Sequence, residues 1–478
     1  MVTSVEYIES KPEIITKIGK PSEWLSTRAP EAFNALSISE WESVQLYYLN
    51  KRFSDLKDKV PALKKLIGDK DVSDNFTHIH EIVPYLFTHQ SYKSYPLSLL
   101  EKSQFMKLTK WIDKFTAIPL METVDHDKIK KLKSIDDWLA YLEEFDMFIL
   151  HSSGTTGKLS FLPRTTIEKE YLRSAWYQLI QDTCKVDAHE HKMPFFFPAF
   201  NRGRQLANYL AGEFGPEFAP PGEYHPAIKD DMSADFMSLA GRIKAAQAKG
   251  ELGKRQLIGA LVKSRGGLLT MKKKMEGSKE AWLDKLFNEY RGKAVYIMAT
   301  WPDLIKSALA AQERGETKIF GEGTVLFGGG GMKGYDAPEN WREILMETYN
   351  ADRVNEGFGM TESLAWSPKC DAGYFHFYPS GIPFVLDEEG KPLPREGVQT
   401  GRLAIFDLLA ETYWGGFVTG DKVTIRFVDK CDCGWHGPIM DPEVRRFSEL
   451  EGGDDKISCA GVNNQWTEFL EFIETQVD

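Results

Sequence analysis

His151-Ser-Ser-Gly-Thr-Thr-Gly-Lys158 places four hydroxyls, two glycines and a lysine in one short stretch, directly after the apolar residues 147–150. Glycine lets the backbone turn sharply, and successive N–H and hydroxyl donors can then close on an anion. Ser152, Ser153, Gly154, Thr155, Thr156, Gly157 and Lys158 therefore suit a triphosphate that must be held while it reacts. The stretch is not the loop of P-loop NTPases, because Ser152 replaces the first glycine and Leu159 follows the lysine. Three further stretches carry related chemistry. Phe327-Gly-Gly-Gly-Gly331 presents bare backbone at Gly328, Gly329 and Gly330, against which a flat ring could pack. Asn355-Glu-Gly-Phe-Gly-Met-Thr-Glu-Ser363 groups Phe358, Thr361 and Glu362, and its final Glu excludes a dinucleotide fingerprint. Phe417-Val-Thr-Gly-Asp421 sets Asp421 on an expected tight turn after a strand, suited to accept bonds from a ribose diol.

The cysteines offer a second chemistry. Cys431-x-Cys433 lies on an expected turn, and Cys370 stands upstream with His376. A Cys3His set matches the soft, tetrahedral preference of a closed structural zinc site. His436 competes with His376 for the fourth place, and a set of reduced, buried thiols is the alternative reading. With Cys184 and Cys459 the count is five, odd and too sparse for a disulfide framework.

These residues need elements to position them. Residues 40–66 and 127–145 carry helical spacing, with Trp138, Leu139, Leu142 and Phe145 on one face, so 1–145 is expected to be a mostly helical scaffold. From 146 onward, apolar strand-like runs at 147–150, 194–200, 294–299, 324–327 and 353–355 alternate with helical patterns at 166–182, 302–314 and 338–349. Such alternation predicts an α/β protein with buried, mostly parallel strands. From about residue 400 the segments shorten, at 402–407 and 422–428, and a small β subdomain is expected. The basic run 263–274 fits either a guide for an anionic substrate or a solvated face.

Composition bounds the reading. The chain has 478 residues, 59 Lys+Arg against 70 Asp+Glu and a formal charge of −11. An acidic balance argues against a nucleic-acid grip, which needs a net basic surface. With 42% hydrophobic residues there is material for sizeable cores. No apolar run approaches the roughly 18–20 residues that span a bilayer, and no signal-like stretch opens the chain. A cytoplasmic protein is expected.

In order and approximate spacing, residues 152–158, Phe358-Gly-Met-Thr-Glu362 and Thr419-Gly-Asp421 resemble the core motifs of the adenylate-forming superfamily: acyl- and aryl-CoA synthetases, peptide-synthetase adenylation domains and firefly-type luciferases. Ser-Ser-Gly-Thr-Thr-Gly-Lys158, Cys431-Asp-Cys-Gly434 and Asp454-Asp-Lys-Ile457 with Gly461-Val-Asn463 look most like the phenylacetate–CoA ligase branch. The resemblance covers about residues 146–465. It implies a large lobe of two α/β subdomains plus a small β subdomain, over 146–450. It also implies that residues 152–157 wrap the β- and γ-phosphates of ATP and that Phe358 flanks adenine over Gly328–Gly330. Thr361 would contact phosphate, Glu362 would hold Mg2+, and Asp421 would bind the ribose. Branch members often carry a Cys and a His upstream of the C-x-C pair, which favours His376 as zinc ligand. A small-molecule carboxylic acid would become an acyl-adenylate, then pass to coenzyme A, or else to an acyl-acceptor protein or an amine. A homodimer is compatible with this reading.

The sequence also departs from the family. Gly452 stands where a hinge Arg is usual, within Glu451-Gly-Gly-Asp-Asp455, with Arg445 and Arg446 just upstream. Family members continue past the hinge as a mobile domain that supplies a Lys; here one amphipathic segment, 466–477, follows, so 451–478 is expected to be the hinge and a remnant, with that domain missing or reduced. A piece of a longer chain, a variant using Lys158, Arg164 or Lys333 as the cation, and a nucleotide-binding homologue without full turnover all fit that expectation.

Overall fold

The structure is a computed structural model that describes residues 12–25, 33, 36–68, 72–152, 154, 157–187, 189–248, 275–332 and 335–450. Ser153, Thr155, Thr156, Lys333, Cys459, the basic run 263–274, the hinge 451–455, the motif through Asn463 and the segment 466–477 lie outside the described residues. The chain divides into two compact units. One comprises Met1–Leu150, Ser160–Leu179 and Gly359–Asp478; the other comprises His151–Leu159 and Ile180–Phe358.

The second unit is built on parallel strands: β1 (Phe195–Phe200), β2 (Tyr224–Ile228), β3 (Tyr296–Thr300), β4 (Val325–Gly329) and β5 (Val354–Phe358). Within the unit they run in the order β2-β1-β3-β4-β5, all parallel. Parallel strands are covered on both faces, so they appear in sequence as unbroken apolar runs rather than alternations. Phe195, Phe196 and Phe197 on β1 are all buried for that reason. Helix Trp301–Glu313 follows β3 at once: Thr300 caps it by accepting from the Asp303 N–H, and Pro302 sits in its first turn. Helix Trp341–Tyr349 leads into β5 and ends on Asn350 in the left-handed region, φ 59°. Phe196, Ile297, Leu326, Leu304, Ile305 and Leu345 belong to one core that these elements enclose.

The first unit combines helices with a mostly antiparallel sheet. Helix Ile38–Leu56 opens with a complete capping box between Ser37 and Glu40. Helix Ile135–Glu143 buries Trp138, Leu139 and Leu142. Five strands of the sheet, β6 (Phe375–His376), β7 (Gly381–Leu386), β8 (Gly397–Asp407), β9 (Gly416–Phe427) and β10 (Ile439–Met440), run in the order β6-β10-β9-β8-β7, while Phe87–Thr88 and Arg445–Arg446 also pair with β9. The sheet begins well before residue 400, with Phe375 and with Phe87–Thr88 beside Phe417 and Val418. All of β7 is buried, so its Gly-Ile-Pro-Phe-Val-Leu shows none of the alternation that marks a half-exposed strand.

Candidate metal centre and nucleotide-site residues

Two turns of the first unit share one conformation. In Cys370-Asp-Ala-Gly-Tyr374 the Cys370 N–H donates to the Tyr374 carbonyl and the Gly373 N–H donates to the Cys370 carbonyl, both at 2.9 Å. In Cys431-Asp-Cys-Gly-Trp435 the same two bonds recur at 2.8 and 2.9 Å. Gly373 and Gly434 take φ 89° and 92°, a region that favours glycine. The repeated Cys-Asp-x-Gly-aromatic pattern is the sequence signal for these paired turns, and spacing alone does not bring it out.

The turns meet because the strands between them return. Phe375↔Met440 and His376↔Ile439 are paired in register, which sets β6 beside the chain that leaves the second turn. The Cys370, Cys431 and Cys433 thiols and the His376 ring then converge, with ligand atoms all within 4.8 Å of one another. Cys433 Sγ lies 3.4 Å from His376 Nε2, and the His376 ring stacks on Trp435 at 4.9 Å between centroids. His376 is fully buried. His436 is bridged to Lys430 and, among the described residues, is not part of the ligand group. Burial foremost, then the neighbouring Cys431 and Cys370 thiols, push the Cys433 thiol up to about 12. A divalent soft metal would offset that cost by binding the Cys433 thiolate. The donor set and spacing fit tetrahedral zinc.

The same unit holds Thr361, Glu362 and Asp421. Thr361 is buried, and its carbonyl accepts from Arg164 Nη2 at 2.6 Å. Arg164 itself has no exposed surface, so the cation considered for catalysis is committed inside the protein. Glu362 keeps partial exposure. Desolvation pushes its carboxyl above the ordinary range, while its own backbone N–H and the charges of His89, Lys93 and Arg446 pull the other way. A cation beside such a carboxyl would offset the desolvation cost.

Asp421 does not lie on a turn after a strand; it lies inside β9. Thr419, Gly420 and Asp421 form an irregularity, since Arg402 pairs with Lys422 but Ala404 pairs with Val418. The Thr419 hydroxyl donates to the Leu403 carbonyl at 2.9 Å and accepts from the Asp421 N–H at 3.0 Å. Bulges of this kind re-aim side chains while the strand continues, which is why the Thr-Gly-Asp stretch resembles a turn in sequence. Asp421 is 6% exposed and pairs with Arg446, Nε to Oδ1 3.2 Å.

The remaining residues belong to the second unit. Gly154 and Gly157 take φ 65° and 96°, and the Gly157 N–H donates to the Gly154 carbonyl at 2.8 Å, closing a tight turn. Helix Ala234–Ala248 packs on that turn: a Cβ at Gly241 would approach the Gly154 carbonyl oxygen to 2.3 Å, and one at Gly157 would approach the Ala245 Cβ to 3.1 Å. Ser152 and Lys158 are partly exposed beside it. Gly328 and Gly329 end β4, and Phe358 ends β5. The bare face at Gly328 is already filled by a flat ring from the protein, because a Cβ there would fall 2.1 Å from Trp301. Gly329 has open space, and Gly330 has φ 76°. Trp301 holds its place through a bond from Nε1 to Glu356 Oε1 at 3.2 Å.

No protein-family model matches the chain, and no curated protein matches it. Among solved structures, it is similar to a 2-hydroxyisobutyryl-CoA ligase in the postadenylation state in complex with R3-HIB-AMP. That likeness has 12% identity and a TM-score of 0.40, and covers 75% of this chain and 70% of that one. It is also similar to ATP-bound MatB from Rhodopseudomonas palustris, at 14% identity and TM-score 0.31, covering 64% of this chain and 51% of that. A third is the anthranilate CoA ligase AuaEII in complex with anthranoyl-AMP, at 14% identity and TM-score 0.33, covering 61% and 47%. The chain thus spans 70% of the first and about half of the others. Likenesses this distant carry no activity across to the chain, whose own residues remain the basis for its function.

Proposed function

We propose that this protein activates a small carboxylic acid as an acyl-adenylate at the expense of ATP and passes the acyl group to coenzyme A. The observation that carries the reading is Glu362: a partly exposed carboxyl, pushed up by desolvation, directly after Thr361 in the Phe-Gly-Met-Thr-Glu motif. Mg2+ at Glu362 would offset the desolvation cost and supply charge neutralisation for the phosphates. Ser152–Lys158, turned by Gly154 and Gly157, would wrap the β- and γ-phosphates; Phe358 and Gly329 would bound the adenine, and Asp421 would accept from the ribose.

Chemically, a carboxylate oxygen of the acid attacks the α-phosphorus. The bond from that phosphorus to the bridging oxygen breaks, and pyrophosphate leaves. A thiol then attacks the acyl carbon and AMP leaves with the former carboxylate oxygen. Two anions must be brought together in the first step, so positioning and charge neutralisation supply most of the acceleration. Cys370, His376, Cys431 and Cys433 would hold a structural Zn2+ that staples β6 to the second turn, with no part in the chemistry.

The deciding experiment is pyrophosphate exchange with labelled ATP across a panel of alkyl and aryl acids. Exchange dependent on at least one acid is expected. Absence of exchange with every acid would refute the activation step.

A further inference from the structure

The parallel sheet of the second unit is not covered evenly. Pro198 on β1 and Ile297 and Ala299 on β3 form the floor of a cavity of about 260 Å³. Pro198 and Ala299 remain partly exposed, which is unusual for parallel strands, whose faces are normally covered. One wall is the helical segment carrying Trp282 and Leu286, and the other is helix Trp301–Glu313 with Leu304.

The polar groups of these walls are already engaged. Trp282 Nε1 donates to the His225 carbonyl at 2.8 Å, the Ser307 hydroxyl donates to the Asp303 carbonyl at 2.7 Å, and the Tyr349 hydroxyl lies 3.1 Å from the Leu304 carbonyl. The interior therefore presents chiefly carbon. The rim does not. Lys279 and Lys306 flank it with Asp303; Lys279 Nζ pairs with Asp303 Oδ1 at 2.5 Å, while Lys306 is exposed and lies over the Tyr335 ring at 5.0 Å. Two cations against one anion leave a surplus positive charge beside an apolar chamber. An amine would meet repulsion there, and a neutral body would leave the surplus charge uncompensated.

We propose that this cavity binds a small apolar carboxylate, its alkyl or aryl body against Pro198, Ile297 and Trp282 and its carboxylate at Lys306. None of the lining residues is assigned to nucleotide or metal, and the proposal rests on the cavity alone. Its ligand class is nevertheless that of the acid which the proposed activation consumes.

The test is calorimetric titration of the full chain, without nucleotide, with octanoate and with octanamide. Octanoate should bind several-fold more tightly than its neutral amide. Ala310→Trp, which fills the chamber from the exposed side, should weaken octanoate binding about tenfold or more. Lys306→Glu, a surface change, should abolish the preference for acid over amide. No octanoate binding, equal affinity for acid and amide, or unchanged binding in Ala310→Trp would each overturn the proposal. Because no nucleotide is present, these outcomes are independent of pyrophosphate exchange, and a failed exchange leaves them interpretable.

Discussion

Arg164 Nη2 donates to the Thr361 carbonyl at 2.6 Å across 197 residues of sequence, and the guanidinium that does so has no exposed surface. Its Nε and Nη1 make no hydrogen bond among the described residues. Burial pushes the Asp407 carboxyl and the Tyr413 hydroxyl up, and the Arg164 charge pulls both the other way; the Tyr413 ring lies 5.8 Å from the Arg164 guanidinium carbon. Asp407 accepts from the Leu364 N–H at 2.6 Å, so two buried side chains bond the backbone on either side of Glu362.

Arg164→Ala should therefore destabilise the first unit by about 1.5–3 kcal/mol, the usual contribution of a buried hydrogen bond from a charged group. Arg164→Lys should recover part of this loss but not the fixed direction of the bond to Thr361. Urea denaturation of both variants measures the difference; a loss below about 1 kcal/mol in Arg164→Ala would show that the bond to Thr361 does not hold the segment.

Glu362 makes a pH prediction with a definite sign. Its folded carboxyl titrates above the unfolded one. The native state therefore binds the proton more tightly, and the charged form costs stability as pH rises through and above the folded value. Below the unfolded value both states are protonated and the cost vanishes. Glu362→Gln should raise the melting temperature at neutral pH, with the gain shrinking as pH falls through the carboxylate range. Mg-ATP should stabilise the wild type and not the variant. Equal melting temperatures across the whole pH range would contradict the desolvated setting.

For the cysteine group, protein purified without added metal should contain close to one zinc per chain. Chelation or Cys433→Ser should lower the melting temperature, and zinc should restore only the chelated wild type. The same loss in His376→Ala but not in His436→Ala would assign the fourth ligand. Much less than one zinc per chain, with a chelator-insensitive transition, would leave four neighbouring groups with no metal to hold.

Asp421 must serve both Arg446 and any ribose. Arg446 engages Oδ1, and its own side chain is 52% exposed, so the pair contributes at most about 1 kcal/mol to stability. Asp421→Ala should weaken ATP binding through the lost hydroxyl contacts, whereas Arg446→Ala should leave folding nearly unchanged. Unchanged ATP affinity in Asp421→Ala, measured by calorimetry, would remove the residue from the nucleotide site.

How far the sequence shows this fold depends on where each element is buried. The strands at Phe195–Phe200 and Tyr296–Thr300 are legible because burial on two faces leaves unbroken apolar runs. Tyr224–Ile228 is not, because as the edge strand it tolerates His225 and Pro226 and loses that signature. Site residues divide in the same way. The cysteines are visible as a motif, yet their convergence depends on the β6–β10 register. Asp421 is visible as a carboxylate, but the bulge that carries it looks like a turn. Arg164 has no local signal, since its partner is Thr361, far along the chain.

Gly328 is the case in which the sequence suggests the wrong partner, and it yields the last prediction. A glycine run after a strand invites a ligand ring, but a Cβ at this position would lie 2.1 Å from Trp301, which is 2% exposed and tied to Glu356. Gly328→Ala should thus act as overpacking and cost about 1–3 kcal/mol of stability. Gly329→Ala, with open space around it, should cost little. Shrinking the opposing ring in Gly328→Ala/Trp301→Leu should relieve part of the strain, so the double variant should be less destabilised than the two single changes added together. Denaturation of the four variants gives the coupling directly. Additive losses would mean that Gly328 is not kept bare by Trp301, and a ligand role for its open backbone would regain its place.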